Sequence, residues 1–445
     1  MKRYLIACLF ANAVAAQPPG NVTRHDKLQQ QVWNLTTVMY HDVVNPPAAA
    51  RFYAYSMLAG YEVLCQLDPS MYVFQYSVGM KTGLRTPISH TVDKELAVLY
   101  AILETGKNII PSGHLLQEKQ DSLLDNYRNG KVASSTIDAS VELAKFVSAK
   151  IAQHSKSDGY FTLSTRQRYT PVSSSGSWRP TPPEYMAAVE PHWKTIRTFF
   201  LDSAQQFKPA PPTPFDGAAH SPFMKLVRDV YAITSELKAE EKVIANFWDC
   251  NPFAVQFQGH MSIGLKKISP GGHWMSITGI ACQQTRLDFA KTVFLHTLVA
   301  MSLHDAFVSC WDEKYRSQRI RPETAINKYV DARWQPFLQT PPFPEYSSGH
   351  SVISTAVAEL LTHFLGDSFA YIDSSETYIG IPARRFSSFR SAAAEARVSR
   401  LYGGIHFRDA IENGGEQGER IGKYILAKLG LQPFVKQELS RPATN

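Results

Sequence analysis

Cysteine is scarce: five residues in 445, at positions 8, 65, 250, 282 and 310, with no CxxC pair. That spacing carries no zinc-binding motif, and it leaves any disulfide pairing open. Long apolar runs are missing as well. The best, Val293 to Leu303, is broken by His296 and closed by His304-Asp305. It falls short of the roughly 18 residues a membrane span requires, so no integral span is expected. Charge is not strongly one-sided, with 46 Lys and Arg against 39 Asp and Glu, a net charge of +7. There is no basic run and no basic stripe interleaved with aromatics, so nucleic acid is not an expected partner. A mild positive balance does suit a small anion. GxSxG, HExxH, Walker A and GxGxxG are all absent, which removes the usual support for serine hydrolase, zinc protease and nucleotide-binding readings.

What is present is an ordinary globular composition, 44% apolar and 19% charged. It excludes wholesale disorder and collagen-like structure. Lys2-Arg3, the apolar stretch Tyr4 to Ala11 and the small-residue site Ala13-Val14-Ala15 read as an export signal over residues 1–16. The protein is therefore expected to be exported, to periplasm or medium. Leu5-Ile6-Ala7-Cys8 resembles a lipoprotein box, but its apolar stretch is too short. Asn21-Val22-Thr23 and Asn34-Leu35-Thr36 are glycosylation sequons that matter only in a eukaryotic host.

Apolar residues recur at three- and four-residue spacing over 31–40, 48–67, 94–105 and 139–154. The pattern returns over 223–237, 239–248, 285–311, 351–364 and 415–429, with Gly366 and Gly430 placed as C-terminal caps. Strand-like alternation is scarce. The chain reads as all-α, built of helical bundles. Residues 170–183 and the proline-rich 208–222 read as loops. The second divides an N-terminal helical region, 17–207, from a C-terminal helical domain, 223–433, with a tail over 434–445.

Three segments of that C-terminal domain carry the chemistry. In the first, Lys314 and Arg321 lie seven residues apart, two turns of a helix that Pro322 ends or bends, so the two cations share a face. Alone, this is also the pattern of a solvated basic face. In the second, Ser348, Gly349 and His350 precede an apolar helical stripe, Val352, Ile353, Ala356, Val357, Leu360, Leu361 and Phe364. A helix N-terminus offers free N–H groups to an anion, though Ser348 alone is equally an ordinary cap. In the third, Arg400 adds a forked cation and His406 a second imidazole. Together the set suits a tetrahedral oxyanion. Cations neutralise its oxygens, one histidine attacks or coordinates the centre, and the other moves a proton.

The order KxxxxxxRP, SGH, SRxxxxxH resembles the superfamily that joins vanadium-dependent haloperoxidases, type 2 phosphatidic acid phosphatases and bacterial acid phosphatases. The resemblance implies a vanadate or phosphate cradle of Lys314, Arg321, Arg400, Ser348 and the Gly349 N–H. His406 would be the axial vanadium ligand, or the phosphorylated nucleophile of a phosphatase, and His350 the general acid/base. The chain length, the missing membrane span and the aromatics Trp311 and Phe343, which would border a halide site, tilt the resemblance to the chloroperoxidase-like branch. It would use hydrogen peroxide to oxidise halide to hypohalous acid, with Lys314 as a positive donor to the peroxide. An exported acid phosphatase is the alternative. Two positions depart from the family pattern. Ser347 replaces a proline, which should loosen the turn. Ala410 stands where an aspartate would orient His406, leaving Asp409, one residue early, or Glu412 to reach it. Asp249 and the pair His304-Asp305 are further polar groups that could back the site or serve as ordinary cap and core.

Overall fold

The structure, a computed structural model, describes residues 24–71, 73, 91–258, 261–264, 266–430 and 432–434. The expected export signal, the lipoprotein-like box, the first sequon and nearly all of the C-terminal tail lie outside these residues. The first five helices are α1 (Arg24–His41), α2 (Pro46–Leu67), α3 (Lys94–Ile109), α4 (Gln117–Asn129) and α5 (Ser134–Ser155). After a long irregular segment come α6 (Pro222–Ser235), α7 (Ala239–Phe247), the hairpin β1 (Val255–Gln258) and β2 (Met261–Gly264), and α8 (Pro270–Thr285). Then follow α9 (Phe289–Ser317), α10 (Pro322–Tyr329) and α11 (Gly349–Leu365). A second hairpin, β3 (Tyr371–Asp373) with β4 (Arg384–Phe386), precedes α12 (Phe389–Tyr402) and α13 (Arg408–Leu429). Both hairpins are antiparallel, with Val255 opposite Gly264 and Tyr371 opposite Phe386. The fold is all-α, as the apolar periodicity requires.

Local chemistry starts the helices. Side chains of Asn45, Asp93, Asp288 and Ser348 each accept the N–H three residues on, capping α2, α3, α9 and α11. Gly366 and Gly430 close α11 and α13 at positive φ, 102° and 60°. The two central helices are buried on every side. In α2 every residue from Pro46 to Cys65 is buried, and in α9 every residue from Thr292 to Tyr315. A helix of that kind needs neighbours all round. By length and composition α9 could cross a membrane, but here it is the buried axis of the molecule. The helices on either side of 208–222 share one apolar core, which runs from Leu28 to Ile425.

The residues after α5 contain no α-helix until Pro222, yet they shape the functional end of the molecule. Trp178 N–H donates to the Gln318 carbonyl at 2.7 Å and Ile320 N–H to that of Gly176 at 2.9 Å. The Val189 carbonyl accepts from the Trp311 indole at 3.2 Å and the Tyr315 hydroxyl at 2.6 Å.

α13 lies unusually close to α11. A methyl group at Gly418 would stand 2.2 Å from the Val352 carbonyl oxygen, and one at Gly422 2.8 Å from that of Ala356. Asn34 of the second sequon is buried inside α1, and its amide donates to Gln31 Oε1 at 2.9 Å. It is a packing residue rather than an acceptor for sugar. Cys65, Cys250, Cys282 and Cys310 are all buried, unbridged thiols.

Candidate active site

The three segments meet, but not as one helix face. α9 stops at Ser317, because Gln318 turns left-handed at φ 50°. Arg321 is the residue before α10, with Pro322 at that helix's first position. Proline tolerates the first turn, where its missing N–H costs nothing, and it pushes the preceding residue to extended backbone. Lys314 and Arg321 therefore approach from two elements, a correction to the shared-face expectation. Ser348 caps α11, Arg400 sits in the last turn of α12, and His406 lies in the turn before α13.

A narrow pocket opens here. Its wall includes Gly349, His350, Arg400, His406, Trp311 and Phe343, together with Asp249, Cys250, Pro46, Phe253 and Gln339. Lys314, Arg321 and Ser348 are fully buried directly behind it. The Trp311 and Phe343 rings stand 5.0 Å apart and tilted by 49°. The Phe343 ring centre is 5.1 Å from Lys314 Nζ and 5.0 Å from the Arg321 guanidinium.

His406 is held at both nitrogens. Nδ1 is 2.9 Å from Glu345 Oε1, and Nε2 is 3.2 Å from Arg321 Nη1. Arginine only donates, so Nε2 accepts and Nδ1 carries the hydrogen. Burial pulls the His406 pKa well below its usual value, and Arg321, Lys314 and Arg400 push the same way. The ring is a neutral imidazole whose lone pair sits at the pocket wall. Glu345 is the orienting carboxylate, a residue that sequence reasoning missed. Its Oε1 also accepts the Phe407 N–H at 2.9 Å, and its Oε2 accepts from Arg319 Nε at 2.6 Å. Arg319 then binds both Asp409 oxygens at 2.7 Å. So Asp409 faces Arg319 and does not reach His406, and Ala410 supplies only its carbonyl, to the Ser348 N–H at 3.1 Å.

His350 donates to the Trp248 carbonyl, and its Nε2 is buried without a partner. Burial, then Arg400 and His406, hold its pKa well below the usual value. It is a free base at neutral pH. Arg400 Nη2 donates to the same Trp248 carbonyl at 2.9 Å. Burial lowers the Arg400 pKa, and Asp249, itself paired with Lys267 at 2.7 Å, works against that. Lys314 spends its ammonium on the carbonyls of Pro344 and Glu345, both at 3.1 Å, and of Ser347 at 2.6 Å. Burial brings its pKa down to about 7.

The turn at Ser347 is not loosened by losing the family proline. Its hydroxyl donates to Gln417 Oε1 at 2.7 Å and its carbonyl holds Lys314. His304 and Asp305 are structural. Asp305 accepts the N–H groups of Phe199, Phe200 and Leu201 at 2.8, 2.6 and 3.0 Å, and His304 bonds the Arg197 carbonyl.

These residues fit a tetrahedral oxyanion. Buried guanidinium groups, a helix N-terminus and a neutral imidazole acceptor converge on one space, beside an unpartnered His350 nitrogen. At Gly349 an added methyl would approach nothing closer than Trp311, at 3.7 Å, so neighbouring protein atoms do not demand the glycine. A small residue there leaves the backbone N–H open to the pocket.

Residues 294–431 match the family model described as the VCPO second helical-bundle domain. No curated protein matches the chain. Among solved structures it is similar to a bacterial vanadium-dependent iodoperoxidase, with 40% identity, a TM-score of 0.84, and coverage of 93% of this chain and 98% of that one. It also resembles the holo form of a bacterial vanadium-dependent chloroperoxidase at 15% identity and TM-score 0.65, covering 87% of this chain and 92% of that one. The apo form matches at 14% and 0.63, covering 86% and 93%. The latter two likenesses are of fold alone.

Proposed function

Because the chain belongs to the vanadium-dependent haloperoxidase family, we propose that it oxidises halide with hydrogen peroxide to hypohalous acid, with vanadate as cofactor. The observation that carries this reading is the His406 ring, neutral and fixed by Glu345, with its Nε2 lone pair among buried cations. Vanadate would be held by His406 Nε2, Arg321, Arg400, Ser348 and the Gly349 N–H. When bound, it supplies Lewis-acid activation of peroxide without a change of oxidation state.

The chain's own groups do the rest. His350 Nε2 takes the proton that hydrogen peroxide gives up and later returns it. Arg321 and Arg400 stabilise negative charge from fixed positions in a largely buried site. Lys314 contributes its field through the 344–347 backbone it holds, since its N–H groups are already engaged. Trp311 and Phe343 give a polarisable, water-poor wall for halide. The iodoperoxidase likeness favours iodide as that halide. Export through the N-terminal signal remains part of this proposal.

The test is a paired assay on metal-stripped protein. Orthovanadate and peroxide are added and iodide and bromide oxidation followed, alongside p-nitrophenyl phosphate hydrolysis without vanadate. We expect vanadate-dependent halide oxidation that phosphate inhibits. His406→Ala should abolish it, and His350→Ala should keep anion binding while losing most turnover. Hydrolysis blocked by vanadate, with no halide oxidation, would move the chain to the phosphatase reading.

A further inference from the structure

Beside Trp248 lies a second polar cluster that this reaction leaves unused. Cys250 Sγ stands 3.3 Å from His273 Nδ1 and 3.9 Å from Glu376 Oε1, and Nδ1 stands 3.4 Å from Oε1. All three residues are buried. Donors bound tetrahedrally to one zinc ion, at about 2.3 Å for sulfur and about 2.0–2.2 Å for nitrogen and oxygen, lie about 3.4–3.6 Å from one another. The observed triangle has nearly those edges.

Two further observations point to an ion. His273 Nε2 is 2.8 Å from Asp373 Oδ2, and Asp373 Oδ1 accepts the Ser375 N–H at 2.9 Å. A carboxylate behind the far nitrogen is the usual support of a metal-bound imidazole, and it turns the Nδ1 lone pair toward Cys250 and Glu376. Glu376 Oε2, in addition, is buried with no hydrogen-bond partner. A buried carboxylate with an idle oxygen beside a thiol asks for a proton or a cation.

We propose that Cys250, His273 and Glu376 bind one zinc(II) ion, with a water in the fourth position. Thiolate and carboxylate neutralise a divalent charge, and a sulfur, nitrogen and oxygen set excludes calcium and magnesium. The competing arrangement is a metal-free network in which thiol, imidazole and carboxylic acid share protons. The ion would also steady the pocket wall. The Trp248 ring stacks on His273 at 4.6 Å and 17°, and the Trp248 carbonyl is the shared acceptor of Arg400 and His350. The ion-binding claim itself does not depend on the proposed reaction.

The full chain is dialysed, titrated with zinc against a chromophoric chelator, and its zinc and vanadium contents are measured separately. We expect one tightly held zinc per chain in the wild type, and at least tenfold weaker binding in Cys250→Ser and in Glu376→Gln. Cobalt(II) in place of zinc should give a thiolate charge-transfer band in the near ultraviolet, a readout on the wild type that requires no variant. The proposal is overturned if the wild type takes up no stoichiometric zinc and shows no such band, or if Cys250→Ser binds zinc unchanged. Vanadate binding is scored independently, so a failed haloperoxidase reading leaves the zinc result interpretable.

Discussion

His406 presents an acceptor nitrogen, Nε2, beside Arg321 at the pocket because Glu345 holds the other. The carboxylate fixes the tautomer, raises the basicity of Nε2 and is itself anchored by Arg319. Replacing it with Gln keeps the size and one acceptor but removes the charge. Glu345→Gln should weaken vanadate binding by about 10- to 100-fold, the cost typical of losing such a support, as read by titration calorimetry. Lys314 gives a second test at this scale. Burial lowers its pKa to about 7, so it titrates near working pH. An oxyanion arriving nearby favours its charged form and so draws in a proton. Anion affinity should therefore be greatest below pH 7 and fall by up to about tenfold per pH unit above it. Vanadate titrates too, so the measurement is the difference in slope between wild type and Lys314→Met; equal slopes would remove Lys314 from the linkage. The recurring residue types here, Lys314, Arg321, Ser348, His350, Arg400 and His406, were legible from their order alone. Glu345 was not. It sits in a proline-rich stretch that reads as a turn, and only the fold brings it under His406.

At the scale of elements, the site depends on how closely α13 can lie on α11. Ser348 opens one helix and His406 precedes the other, and the Ser348 N–H is bonded to the Ala410 carbonyl. Glycines along α13 set the distance. At Gly418 even a methyl group would fall 2.2 Å from the Val352 carbonyl oxygen and 3.1 Å from the Ala356 nitrogen. These are backbone atoms, which cannot swing aside as a side chain can. Gly418→Ala should destabilise the protein by about 1–3 kcal/mol, the usual cost of overpacking, as a lower urea midpoint. It should also weaken anion binding, because the two helix starts would be pushed apart; an unchanged midpoint would show that the helices separate freely. Apolar periodicity disclosed α1, α2, α3, α5, α6, α7, α9, α11 and α13. It did not disclose α8, which opens on Pro-Gly-Gly and looks like a turn until Ser269 caps it. Nor did it disclose α12, whose Ala- and Arg-rich sequence has few large apolar residues to mark a face. α4, strongly polar, and α10, one short helix that opens on a proline, escaped as well.

For the whole molecule, the separation of an N-terminal region from a C-terminal motif domain at 208–222 meets a physical obstacle in the core. Composition marks that segment as a loop, and it is one. But α9, which carries Trp311 and Lys314, is buried on all sides, and α2 from the N-terminal region covers part of it. Thr297 of α9 even donates to the Met57 carbonyl of α2 at 3.2 Å. The irregular 170–200 segment adds the Val189 and Gly176 carbonyls that hold Trp311, Tyr315 and Ile320. These long-range contacts carry no signature in local sequence, because each joins a backbone carbonyl to a donor far along the chain. Removing residues 24–207 would leave a helix built to be buried all round with one side in water, and burial of each of its large apolar side chains is worth about 1.5–3 kcal/mol. A fragment of 223–434 should therefore be insoluble or lack near-ultraviolet circular dichroism. The intact chain should unfold in one calorimetric transition whose van't Hoff and calorimetric enthalpies agree. Vanadate or phosphate at about 100 times its dissociation constant should raise the stability of that single unit by about 2.7 kcal/mol. If instead the fragment folds and binds vanadate, the two halves are independent, and the contacts from the N-terminal region serve some purpose other than building the pocket.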